Sequence, residues 1–274
     1  MFFLSIIKMN YQDEIKQFVI KGYKNVHKSY LTKANGIELI NREENFITIP
    51  QSDFKYHKRA GSFKSSQAFA YNIFSGIQNR NSKFEFPMPV FTSDAKIDFM
   101  MENVESNTIE LYEVKAFEIV DNDNIEFVDK YYKLDKYRNQ ELAQDFIFFL
   151  NKTVQNFEGK IIYGGGIKQL CSHLLGILNI MNNKEYQSKK IKLFSLCFDN
   201  CFTSEFREDL ESYRNAIKEF KVLVDEFLFK YNLQSRIEYY GFLSAYEYIN
   251  KKRKLIGEEN YNYVLKRYYY KYQG

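Results

Sequence analysis

The chain has 274 residues, 45% of them apolar and 27% charged, the profile of a soluble globular protein with one large domain or two small ones. Its formal net charge of +4 permits a nucleic-acid partner but falls short of the strongly cationic footprint of a dedicated nucleic-acid coat. No run reaches the length of a membrane helix. Cys171, Cys197 and Cys201 make no paired framework, which suits a reducing cytoplasm.

In chain order, MFFLSIIK is apolar but too short for a signal peptide, and Met9 is an alternative start. Residues 9–48 read as mostly helical, with acids leading and bases trailing in DEIKQFVIKGYKNVHKSYL. IPQSDFKYHKRAGSFK is an irregular basic stretch holding Lys55, His57, Lys58, Arg59 and Lys64. SSQAFAYNIFSG predicts a short helix with Ser65 as its N-cap and Gly76 as its stop. KFEFPMPVF is strand-like, and Pro87 and Pro89 push it towards a sheet edge. AKIDFMM and TIELYEVKAFE predict two further strands, joined by the polar turn ENVESN into a hairpin.

Residues 121–158 are charged and predict a helical insertion beside the core. GKIIYGGG predicts a short strand ending in glycines. IKQLCSHLLGILNIMNN predicts an amphipathic helix, with Ile167, Leu170, Leu174, Ile177, Leu178 and Met181 on one stripe. KKIKLFSLCFD predicts a strand, SEFREDLESYRNAIKEFKVLVDEFLFKY a long helix and RIEYYGFLS another strand. Ser244 and Glu247 form a capping box for a further helix. The basic, Tyr-rich tail is expected to pack. A mostly helical N-terminal extension over 1–60 and one domain over 61–274 follow, with a mixed α/β plan whose sheet is covered by helices on both faces.

The chemistry sits in the hairpin. Strand side chains alternate, so Glu113 and Lys115 share a face with Ile109 and Leu111, while Tyr112, Val114 and Ala116 fill the other. A strand apolar on both faces is central and covered, and unpaired charges there cost several kcal/mol per ion. Asp98, among Ile97, Phe99, Met100 and Met101, raises the same objection. Two carboxylates beside a lysine suit a hard divalent cation, which takes one or two carboxylates and keeps several waters. An acid-x-Lys pattern also occurs at Glu14/Lys16, Asp53/Lys55, Asp94/Lys96, Glu158/Lys160 and Glu219/Lys221. Only Glu113/Lys115 follows a strand acid by one hairpin. Cys197 and Cys201 with His173 do not match the usual zinc-ligand spacings and read as small core residues.

KIDFMM…LYEVK resembles the Asp…Glu-x-Lys signature of the PD-(D/E)xK nuclease superfamily, the restriction-endonuclease-like fold, and in particular its bacterial restriction-endonuclease-like branch. SSQAFAYNIF and GGGIKQLCSHLLGI add to the likeness, which covers roughly half the chain. The resemblance implies an αβββαβ core over 65–197. It further implies a Mg²⁺-dependent DNA endonuclease of restriction or defence type, with Mn²⁺ able to substitute. Asp98 and Glu113 would be the metal ligands and Lys115 the catalytic lysine. Many members carry a Glu in the first core helix, where this chain has Gln67, expected to stand behind the metal ligands or to face DNA. Some carry Gln-x-x-x-Tyr in the later helix, where this chain has Gln169 and His173. Lys168 and the cluster of Lys58, Arg59 and Lys64 are further candidates for phosphate contacts. Cutting both strands implies a homodimer; a methyltransferase or other defence partner is left open. The alternatives are a repair or RNA nuclease, or a non-catalytic nucleic-acid-binding module on the same fold.

Overall fold

The segment Thr108–Lys115 is buried along nearly its whole length, and in the computed structural model it is the middle strand of a five-stranded sheet. The structure describes residues 10–27, 34–77 and 81–272. The apolar opening and Met9 lie outside them. In chain order the elements are α1 (Tyr11–Val26), a two-stranded ribbon of β1 (Ala34–Asn35) and β2 (Glu38–Leu39), α2 (Ser66–Phe74), β3 (Ser82–Pro89), β4 (Asp94–Asn103), β5 (Thr108–Lys115), α3 (Gln140–Phe157), α4 (Gly164–Ile180), β6 (Lys190–Cys197), α5 (Ser204–Lys230), β7 (Ile237–Ser244), α6 (Ala245–Lys251), α7 (Arg253–Ile256) and α8 (Glu258–Tyr268).

The sheet order is β3-β4-β5-β6-β7. β3, β4 and β5 form an antiparallel meander, whereas β5, β6 and β7 run parallel. β3 is an edge strand, as its prolines require, since a proline has no N–H to give a second neighbour. Helices cover both faces. On one, Phe74 of α2 stacks on Phe99 of β4 at 4.2 Å between ring centroids and leans on Tyr112 of β5 at 5.1 Å. On the other lies α4, whose predicted stripe of Ile167, Leu170, Leu174, Ile177, Leu178 and Met181 is buried throughout. Gly176 lets α4 approach β3: a Cβ there would stand 2.7 Å from Met88 Cβ. Among the described residues no helix is long and apolar enough to cross a membrane.

Several local expectations change. The glycines after Tyr163 do not end a strand: Gly164, Gly165 and Gly166 are the first turn of α4, and GKIIY contributes only an isolated bridge between Tyr163 and Asp123. Packing explains them, because a Cβ on Gly164 would lie 2.5 Å from Asp123 O and one on Gly166 would run into the Tyr213 hydroxyl. Residues 121–137 form short 3₁₀ turns and irregular chain, and the insertion is α-helical only from Gln140. Helix within 9–48 is confined, among the described residues, to α1 and a 3₁₀ turn at Arg42–Asn45. Ile15, Phe18 and Val19 of α1 join the main core, and α1 packs on α8. In the tail, Tyr268 and Tyr269 are buried, and Ser244 caps α6 by accepting from Glu247 N at 3.0 Å.

Candidate functional site

The two charges of β5 find each other and a third group. Lys115 Nζ donates to Glu113 Oε1 at 2.5 Å, as residues two apart on one strand face can. The other oxygen, Glu113 Oε2, lies 2.7 Å from His173 Nε2 of α4. Asp98 arrives from β4. The β4–β5 ladder runs from Asn103↔Thr108 to Phe99↔Tyr112 and stops there. One residue on, Asp98 Oδ2 accepts the Val114 N–H at 2.7 Å, so a carboxylate takes over an amide where the strands part. Exposure is 8% for Asp98, 3% for Glu113 and Lys115 and 2% for His173. The other acid-x-Lys pairs are exposed or half-exposed at every position, so burial separates Glu113/Lys115 from them.

These four side chains divide their charges unequally. Burial first, and then the neighbouring Glu113, push the Asp98 carboxyl well above the usual carboxylate range, with Lys115 and the Val114 N–H offsetting part of this. Burial acts on Glu113 in the same direction, but Lys115 and His173 outweigh it and hold that carboxyl down at about 2. Lys115 feels burial as a pull towards the neutral amine, yet Glu113, Asp98 and Glu118 together raise it above the ordinary range. The site is thus an anion–cation pair of Glu113 and Lys115 with a second carboxyl, Asp98, that resists ionising. His173 Nδ1 is buried without a hydrogen-bond partner.

The remaining predicted residues separate into near and far. Gln67, in the first turn of α2, is 3% exposed and fully engaged. It accepts from His57 N at 2.9 Å and donates to Lys55 O at 2.9 Å and to Glu85 Oε1 at 3.0 Å. It faces an acid rather than replacing one. Lys168 is half-buried and Gln169 exposed, so of the pair Gln169 and His173 only His173 enters the site. Lys58 and Arg59 are exposed and line a separate shallow groove with Arg42 and Glu43. Lys64 is half-buried. Cys197 and Cys201 are buried core residues.

Glu85 carried no clear mark in the sequence. It sits in β3 with φ +51, a left-handed conformation that side chains other than glycine rarely adopt. The β3–β4 ladder pairs Phe84 with Phe99 and Phe86 with Ile97, passing over Glu85 and Asp98 between them. The one available signal was an acid interrupting KFEFPMP.

No family model matches the chain, and no curated protein or solved structure matches it significantly. What the site can do therefore rests on its own chemistry. Asp98 and Glu113 offer the oxygen donors that a hard divalent ion takes. Burial first, and then the charge of Glu113, raise the Asp98 carboxyl, and a cation between the two carboxylates would relieve the second of these. Among the described residues no three His, Cys, Asp or Glu side chains gather as a ready-made metal cage. An ion there could be held only by these two carboxylates, with water completing its shell, and would have to displace Lys115 and His173 from the Glu113 oxygens they engage.

Proposed function

We propose that this chain is a metal-dependent nuclease on a restriction-endonuclease-like fold, hydrolysing phosphodiester bonds at Asp98, Glu113 and Lys115. The observation that supports it is that Asp98, bonded to the Val114 N–H where β4 and β5 separate, is buried within electrostatic reach of the Glu113–Lys115 pair. The element order from α2 to β6, with α3 inserted, accords with the same fold. Mg²⁺, or Mn²⁺ in its place, would be held by Asp98 and Glu113. When bound, it supplies Lewis-acid neutralisation of the phosphate and acidifies a water.

The residues themselves have distinct tasks. Glu113, held ionised by Lys115 and His173, is an anion at any physiological pH. Lys115 stays protonated, so it serves as a fixed positive charge towards a phosphoryl oxygen rather than as a general base. Asp98, whose carboxyl burial and Glu113 push up, would be drawn towards its anionic form by an arriving cation. His173 keeps Glu113 in register from the covering helix. DNA is the proposed substrate, with a homodimer for double-strand cutting and a defence role in the cytoplasm. Incubation of the protein with supercoiled plasmid and with single-stranded RNA, in Mg²⁺, Mn²⁺ or EDTA, tests this reading. Metal-dependent relaxation of the plasmid is the expected result, and RNA cleavage alone would reassign the substrate.

One observation favours a second reading, a non-catalytic nucleic-acid-binding module. Both oxygens of Glu113 are satisfied by Lys115 and His173 in a site that is almost wholly buried, as in a structural ion-pair network. Inactivity on every nucleic acid in both metals, with nucleic-acid binding retained, would select it.

A further inference from the structure

Glu113 has no oxygen to spare. Oε1 takes the Lys115 ammonium at 2.5 Å and Oε2 the His173 imidazole at 2.7 Å, so this carboxylate can serve a cation only as they let go. The two are held unequally. Lys115 stands two residues along the same strand, and Asp98 and Glu118 add their charge to that of Glu113 in keeping it protonated and in place. His173 comes from the covering helix α4. Among the described residues Glu113 is the only hydrogen-bond partner of its side chain.

The far side of the His173 ring is unsatisfied. Facing a carboxylate that is held ionised, Nε2 carries a proton and donates it. Nδ1, bare or protonated, is then buried with no partner, and an orphaned polar atom counts against the conformation that buries it. The helix beneath the ring is fastened at both ends. Gly165 N donates to Asp123 Oδ1 at 2.8 Å. Asn179 Nδ2 donates to Pro89 O at 2.8 Å and to Val90 O at 3.1 Å, and Gly176 lies tight against Met88 of β3. The part that can yield is therefore the imidazole, by rotation about its own side-chain bonds, and not α4.

We propose that His173 is a latch on the metal site: it closes Glu113 Oε2 in the metal-free protein and gives way, ahead of Lys115, when Asp98 and Glu113 together take a divalent cation. This rests on the metal-site part of the nuclease reading and names how that site opens. His173 is a positioning residue, acting through Glu113. The contact that braces the metal-free core is also the one that opposes cation binding.

Mn²⁺ binding to the full-length protein, read from the electron paramagnetic resonance signal of the free ion, tests the latch without nucleic acid or turnover. His173→Ala should bind Mn²⁺ about ten- to a hundredfold more tightly than the wild type, the span of one hydrogen bond to a charged group. His173→Gln, whose amide can donate to Oε2 in place of the imidazole, should return the affinity towards the wild-type value. Equal or weaker binding by His173→Ala overturns the latch and leaves the metal site standing. Binding by neither the wild type nor His173→Ala overturns the nuclease reading at its metal site, and the latch with it. If the variants do not fold, the wild type carries the test, because the chain has three histidines whose imidazole protons can be followed by NMR. Saturating Mg²⁺ should abolish the protected Nε2 proton signal of His173. Its persistence in the Mg²⁺-bound protein overturns the latch.

Discussion

Replacing Glu113 by Gln separates the two ions of the buried pair while keeping the side chain's size. The drop of its carboxyl from the ordinary 4.5 to about 2 is worth about 3 kcal/mol, at about 1.4 kcal/mol per pH unit. That agrees with the roughly 3–5 kcal/mol typically lost when one partner of a buried ion pair is removed. The variant deprives Lys115, at 3% exposure, of the largest charge that balances it. Equilibrium denaturation in urea at pH 7 with EDTA should therefore show a loss of about 3 kcal/mol. The sign in pH follows from the depressed carboxyl. In the wild type the contribution is complete above about pH 4.5 and is lost as pH falls through about 2, whereas the variant lacks that acid limb. A loss under about 1 kcal/mol, or an acid limb identical in both proteins, would show that the buried pair does not hold Glu113 ionised.

Asp98→Asn should act oppositely in EDTA. The Asp98 carboxyl is raised, so the wild type loses stability as pH climbs from the ordinary carboxylate range to that raised value. The variant should be the more stable at neutral pH, by about 1.4 kcal/mol for each pH unit of the displacement. Melting curves with and without Mg²⁺ check this, and the stabilisation by Mg²⁺ expected in the wild type should vanish in Asp98→Asn. His173→Ala removes the partner of Glu113 Oε2 and should cost about 1–3 kcal/mol in the same urea titration, the penalty for leaving a buried polar group unsatisfied.

The site was legible where a charge stood among apolar strand residues. Asp98, Glu113 and Lys115 declared themselves because a covered strand excludes unpaired charge, and alternation alone put Glu113 and Lys115 on one face. His173 was half legible: the four-residue spacing with Gln169 placed both on one helix face, but only the three-dimensional packing of α4 decided which one reaches Glu113. Glu85 was not legible, since its left-handed backbone and its partners Gln67 and His57 are tertiary features. The prolines of β3 correctly marked an edge. The glycines at 164–166 misled, because locally they look like a chain stop. Their cause is remote, in the close approach of Asp123 and Tyr213. The docking of α1 on α8 left no local signal either.

Whether Asp98, Glu113 and Lys115 cut phosphodiester bonds or brace a core is decided by supercoiled-plasmid cleavage in Mg²⁺, comparing wild type with Lys115→Ala below the melting temperatures of both. If they cut, the wild type cleaves in a metal-dependent way and the variant is slower by at least about a hundredfold, on the scale of removing one charge-stabilising group. Equal cleavage by the two proteins would leave Lys115 with a structural role alone and the proposed chemistry without its fixed charge.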